Sequence, residues 1–144
     1  MRYVLATLVL ATVLSLACGK NAVAPTPATL EGTWRAARAQ FVSVAGSTRQ
    51  VDIVAQGGAV TLALAGSNYT FTQTESGKPQ TVQTGTWSAS ADLMTLRPSG
   101  VAWTVQYSLT LSGNTLTLDG GSVQFDFTAG SFEEAKLNMT LARQ

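Results

Sequence analysis

The side chains that could trade protons or attack an electrophile are few in this chain and widely scattered. Among its 144 residues are eight Asp and Glu, nine Lys and Arg, one Cys and no His. Acid–base and nucleophilic chemistry need a base within hydrogen-bond reach of the group it activates. Without imidazole, every Ser-His-Asp and Cys-His arrangement is ruled out, and one Cys cannot frame a zinc site. Glu133-Glu134 is the only adjacent acidic pair. Consecutive strand residues point to opposite faces, so these two carboxylates cannot share one site. Asp126 is expected on the wet side of a strand, and Asp52, Asp92 and Asp119 at strand edges or turns, where acids solvate and make turns. Gly57-Gly58 lacks the Gly-Lys-Ser and the helix of a phosphate loop. The expectation is a non-enzymatic protein with no metal and no cofactor. Charged residues make up 12% of the chain and the net charge is +1. No Lys/Arg cluster offers a groove to nucleic acid.

Any site must then be built by strands. From Leu30 onward apolar residues recur with period two, the pattern of sheets with one buried and one wet face. Val101, Trp103, Val105, Tyr107 and Leu109 share one face, opposite Ala102, Thr104, Gln106 and Ser108. Ala135, Leu137, Met139 and Leu141 repeat the pattern, as do Val123, Phe125 and Phe127, and Tyr69, Phe71 and Gln73. Further strands are expected at 30–43, 50–56, 59–65, 80–89, 93–97 and 115–119. Gly66-Ser67-Asn68, Gly113-Asn114 and Gly120-Gly121 are read as hairpin turns. The expected fold is all-β, an antiparallel up-and-down barrel of about 8–10 strands. A two-sheet sandwich is the alternative. The barrel is preferred because the polar face is poor in Lys, which leaves open edges unprotected, and closure removes edges.

The first residues read as an address. Arg2 is followed by an apolar run from Tyr3 to Leu16, whose fourteen residues span about 21 Å as a helix against a hydrocarbon core of roughly 30 Å. Residues 1–17 are therefore expected to be an export signal. Leu14-Ser15-Leu16-Ala17-Cys18 resembles the lipobox of bacterial lipoproteins. The resemblance implies cleavage before Cys18 and attachment of diacylglyceryl and palmitate-type chains to it. Gly19 after the Cys, where Asp would signal retention, implies the outer membrane, with the protein facing the periplasm. An ordinary secretory cut after Ser15-x-Ala17 is the alternative. Residues 18–29, with Pro25 and Pro27, read as an extended flexible tether, leaving 30–144 as the barrel domain.

The barrel opens with Leu30-Glu31-Gly32-Thr33-Trp34, and this Gly-x-Trp is similar to the start of lipocalin and fatty-acid-binding barrels. Thr84-Gly85-Thr86-Trp87, Asn114-Thr115-Leu116-Thr117-Leu118 and the closing Leu141-Ala142-Arg143 resemble bacterial lipocalin-like domains. The resemblance implies that Trp34 closes one end, that Arg143 stacks on it, and that Gly32 lets the backbone pass beneath the ring. The segment 44–50 does not read as the helix pair that caps fatty-acid-binding barrels.

Eight strands make a barrel just wide enough to be filled by its own side chains or to hold one small ligand. The aromatics expected to point inward are Trp34, Tyr69, Phe71, Trp87, Trp103, Tyr107, Phe125 and Phe127. Of these, Tyr69, Phe71, Trp87, Trp103, Tyr107 and Phe125 are the candidate ligand-binding residues, and core packing is the competing role for each. The leading expectation is a membrane-anchored carrier of a small hydrophobic molecule in the cell envelope. The alternative is a filled barrel whose outer face docks an envelope protein.

Overall fold

The computed structural model describes residues 24–45 and 48–144. The export signal and Cys18 lie outside the described residues. A single turn of helix, α1 (Pro27–Leu30), precedes nine strands: β1 (Gly32–Ser43), β2 (Gln50–Asp52), β3 (Ala59–Ala65), β4 (Asn68–Thr74), β5 (Thr81–Ser90), β6 (Leu93–Pro98), β7 (Val105–Ser112), β8 (Thr115–Thr128) and β9 (Ser131–Arg143). All pairings are antiparallel; β3 to β9 follow as a meander, and β1 pairs with both β3 and β9. This closes an eight-strand barrel, with β2 as a short flap on the upper half of β1. The lower end is where β1 starts and β9 finishes; the upper end carries the β4–β5, β6–β7 and β8–β9 connections.

Closure shows in the register. Trp34 lies opposite Arg143 and Ser43 opposite Ala135, so β1 and β9 zip along nearly their whole length. The alternating inward residues give one core that runs from Leu30, Trp34 and Leu141 to Phe41, Phe125 and Leu137.

Two bulges shift the phase of that alternation. In β1 the buried positions are Trp34 and Ala36, then Ala39, Phe41 and Ser43, with the register shift between Ala36 and Arg38. Asp52 Oδ1 accepts the Ala39 N–H at 3.2 Å and the Val54 N–H at 3.1 Å, so its carboxylate fastens the flap turn to the bulged strand. In β8 the buried positions switch from Leu116 and Leu118 to Gly121 and Phe125. The expected hairpin at Gly120-Gly121 is instead a bulge inside one continuous strand. Leu118 pairs with Met139 and Gly121 with Leu137, so β8 carries one extra residue. Gly120 takes it up at φ +81° and donates its N–H to Asn138 Oδ1 at 2.8 Å. A left-handed glycine serves a bulge as readily as a hairpin, and both break the period-two phase.

A second expectation fails at Val101–Thr104, which is connection and not strand. Pairing of β6 with β7 begins only at Leu96–Val105, so Val101 and Trp103 alternate without a partner strand and stay 42% and 51% exposed. The strand expected at 50–56 is likewise reduced to β2, and Ile53 begins the turn that follows.

Candidate ligand-binding site

The barrel interior divides into two halves. The lower half is filled: Leu30, Trp34, Leu62, Met94, Leu116, Leu118 and Leu141 are completely or almost completely buried. Trp34 donates its indole N–H to the Leu30 carbonyl at 2.8 Å, fixing the ring against α1. The Arg143 guanidinium carbon lies 4.3 Å from the Trp34 ring centroid. Its nitrogens donate to the Glu31 carbonyl at 2.8 Å and to the Thr29 carbonyl. Gly32 sits at φ +129°, and a Cβ there would come within 3.2 Å of the Arg143 Nη1. This stack of α1, indole and guanidinium covers the lower end. Residues 27–29, read from sequence as the end of the tether, are part of that cover.

The upper half is open. A cavity of about 880 Å³ runs from the upper connections down to Leu96 and Tyr107. Its inward wall carries the apolar Phe41, Phe71, Val105, Val123, Phe125 and Leu137, with Gln73 and Gln83 on the same faces of β4 and β5. Phe41 and Phe125 stack with centroids 3.9 Å apart, and Phe127 meets Phe125 edge-on at 4.9 Å.

The cavity also has a lateral opening, for a reason visible in the pairing. β7 pairs with β8 only from Ser108–Asp119 to Ser112–Thr115. Above the bulge β8 pairs with β9 alone, and its other edge has no backbone partner among the described residues. Trp103 and Thr104 flank this gap, and outward-facing Ser122, Gln124, Phe132 and Glu134 join the cavity wall beside it.

Polar side chains line the cavity as well, among them Gln73, Gln83, Gln124 and the charged Glu75, Lys78, Asp126 and Glu134. At the inner end Tyr69 donates to Gln83 Oε1 at 3.1 Å, and Gln83 lines the cavity. Tyr107 packs on the bare backbone of Gly121, where a Cβ would lie 2.1 Å from its ring. Only 2% of Tyr107 is exposed, and it lines the cavity; the buried side-chain atoms left without a hydrogen-bond partner among the described residues are Trp87 Nε1 and Glu133 Oε1. Burial pushes the Tyr107 phenol well above the usual tyrosine range, and the neighbouring Tyr69 raises it further. Burial raises Tyr69 as well. At the mouth Lys78 Nζ donates to Glu75 Oε2 at 2.8 Å, and this bond raises the lysine pKa.

The candidate residues therefore separate. Phe71, Trp103, Tyr107 and Phe125 line the cavity. Tyr69 and Trp87 do not; they are 1% and 6% exposed within the packing below it. Large aromatics near the sealed end are needed to fill the barrel, which is why they share the pattern of lining residues but not the place. Sequence reasoning missed Phe41, Gln83 and Glu134. Phe41 escaped because the β1 bulge moves it to the inward phase, and no turn residue marks that bulge.

A family profile of the lipocalin-like domain matches residues 30–118. The chain belongs to the lipocalin-like domain family. No curated protein matches it. Among the described residues of this lipocalin-like protein no group of acids and Cys is placed to hold a metal ion, and no helix is long and apolar enough to cross a membrane.

Proposed function

We propose that this lipocalin-like protein binds and carries a small hydrophobic molecule, and that it works in the cell envelope as a lipoprotein anchored through Cys18. The supporting observation is the cavity of about 880 Å³ with its Phe41, Phe71, Phe125 wall. Ligand pockets occupy roughly 300–1,000 Å³ and are mostly apolar with a few convergent polar groups. Tyr107 and Gln83 supply such groups at the inner end. A wholly filled barrel, the shape expected of a pure docking module, fits only the lower half. On this reading the chain is a binding protein and not an enzyme. The signal pattern and lipobox support an anchor in the outer membrane facing the periplasm.

Native mass spectrometry of the purified full chain tests the carrier role. A bound mass lost on denaturation, or taken up from apolar and aromatic probes, is the expected result. An apo mass unchanged by every probe would sink it. Val123→Trp places a large side chain in the cavity. It is expected to abolish uptake while leaving the thermal midpoint unchanged or higher.

A further inference from the structure

We propose that the molecule carried is an organic cation, its apolar body held between the phenylalanines and its positive head among the carboxylates at the cavity mouth. This rests on the carrier reading and adds the charge of the ligand. Three carboxylates line the cavity, those of Glu75, Asp126 and Glu134, against a single ammonium, Lys78. Lys78 is already committed: it bonds Glu75 at 2.8 Å and feels Asp126. Asp126 also accepts the N–H groups of Gly130 and Ser131 at 3.2 and 3.4 Å. The Glu134 carboxylate is exposed and makes no hydrogen bond or ion pair among the described residues.

Two other cations, Arg49 and Lys136, do not line the cavity. Arg49 lies off the cavity wall and pairs with Glu133 at 2.7 Å. Lys136 is one step beyond the wall and donates to Ser122 Oγ at 2.5 Å. An anionic ligand such as a fatty acid needs the forked or clustered cations that hold carboxylates, and this wall offers none. Aromatic faces carry negative charge at their centres and favour a cation within about 6 Å. Beside Glu134 at the mouth, the exposed rings of Trp103 and Phe132 supply them. The Tyr107 hydroxyl, on the same wall, gives the ligand's inner end a neutral hydrogen-bonding contact.

The test is a matched series of decyltrimethylammonium, decanol and decanoate, each below its micelle concentration, titrated into the purified full chain. Binding is followed by tryptophan fluorescence and native mass spectrometry. The expected order is cation, then alcohol, then anion, with the cation about tenfold or more tighter than decanoate, a difference of about 1.4 kcal/mol. Added salt should narrow that gap. Glu134→Lys takes the wall from three carboxylates and one ammonium to two of each, and should erase the preference for the cation over the anion. Decanoate binding as tightly as the ammonium would overturn the proposal and leave the carrier reading standing. A preference indifferent to Glu134→Lys would overturn the assignment to the mouth. No binding by any of the three would overturn both readings.

Discussion

Arg143 shows how one side chain can hold an end of a barrel. It stacks on Trp34 at 4.3 Å while its nitrogens tie down the carbonyls of Thr29 and Glu31. Arg143→Ala is expected to cost about 1–2 kcal/mol, the sum of a stacked cation and charge-assisted hydrogen bonds at a partly exposed site. Urea unfolding followed by tryptophan fluorescence would measure it. Arg143→Lys should recover only part, because an ammonium lacks the planar fork that stacks and bridges together. Tyr107 makes a different demand. Its pKa and that of Tyr69 are raised by burial, so both phenols keep their protons in the folded barrel where unfolded tyrosines lose theirs near pH 10. Above that pH the unfolded chain binds fewer protons than the native one, so stability falls as pH rises. Thermal midpoints between pH 8 and pH 11 should show the fall, and Tyr107→Phe should flatten it. An equal slope in that variant would mean the loss comes from elsewhere.

At the scale of elements, the β8 bulge creates both the wall and the opening. One extra residue at Gly120-Gly121 turns the upper half of β8 away from β7 and leaves room for Tyr107 against bare backbone. Gly121→Ala drives a methyl into that ring and is expected to destabilise by about 1–3 kcal/mol, the usual range for overpacking. Combining it with Tyr107→Leu should give less than the sum of the two single losses, because the clash is shared; full additivity would place the strain elsewhere. The same element marks where sequence stops being legible. Strand β3 was readable from Ala59 to Ala65 because its alternation is unbroken and turn residues bound it. In β8 the phase break at a Gly pair fits a hairpin or a bulge equally, and only pairing with β9 decides between them. Trp103 alternates correctly with Val105 and Tyr107 but finds no neighbouring strand, so periodicity alone placed it inward. The division into a filled lower and an open upper half depends on how side chains from opposite walls meet, as Phe41 and Phe125 do. No local pattern encodes that.

For the whole molecule, the chain enters the barrel at its sealed end. Leu30 and α1 lie against Trp34, whereas Trp103, Phe132 and Glu134 stand at the other end, on the cavity wall. Strands of twelve residues, as in β1, rise about 3.3 Å per residue and tilt by about 40°, which separates the two ends by about 30 Å. The proposed anchor at Cys18 lies eight residues before Thr26, a reach of about 25 Å when extended. An anchored barrel would then rest with its closed end toward the bilayer and its mouth toward water, trading ligand with the aqueous space and not with the lipid beneath it. Cys18→Ala should move the protein from the membrane to the soluble fraction with its thermal midpoint unchanged; unchanged membrane association would rule out the lipid anchor. Orientation can be read from the tryptophans, because Trp34 and Trp87 are 0% and 6% exposed and Trp103 is 51% exposed. In vesicles carrying the lipidated chain, acrylamide in the water should quench Trp103, and brominated phospholipids should not. Quenching by the lipids would put the mouth on the bilayer, and the ligand would then come from the membrane itself.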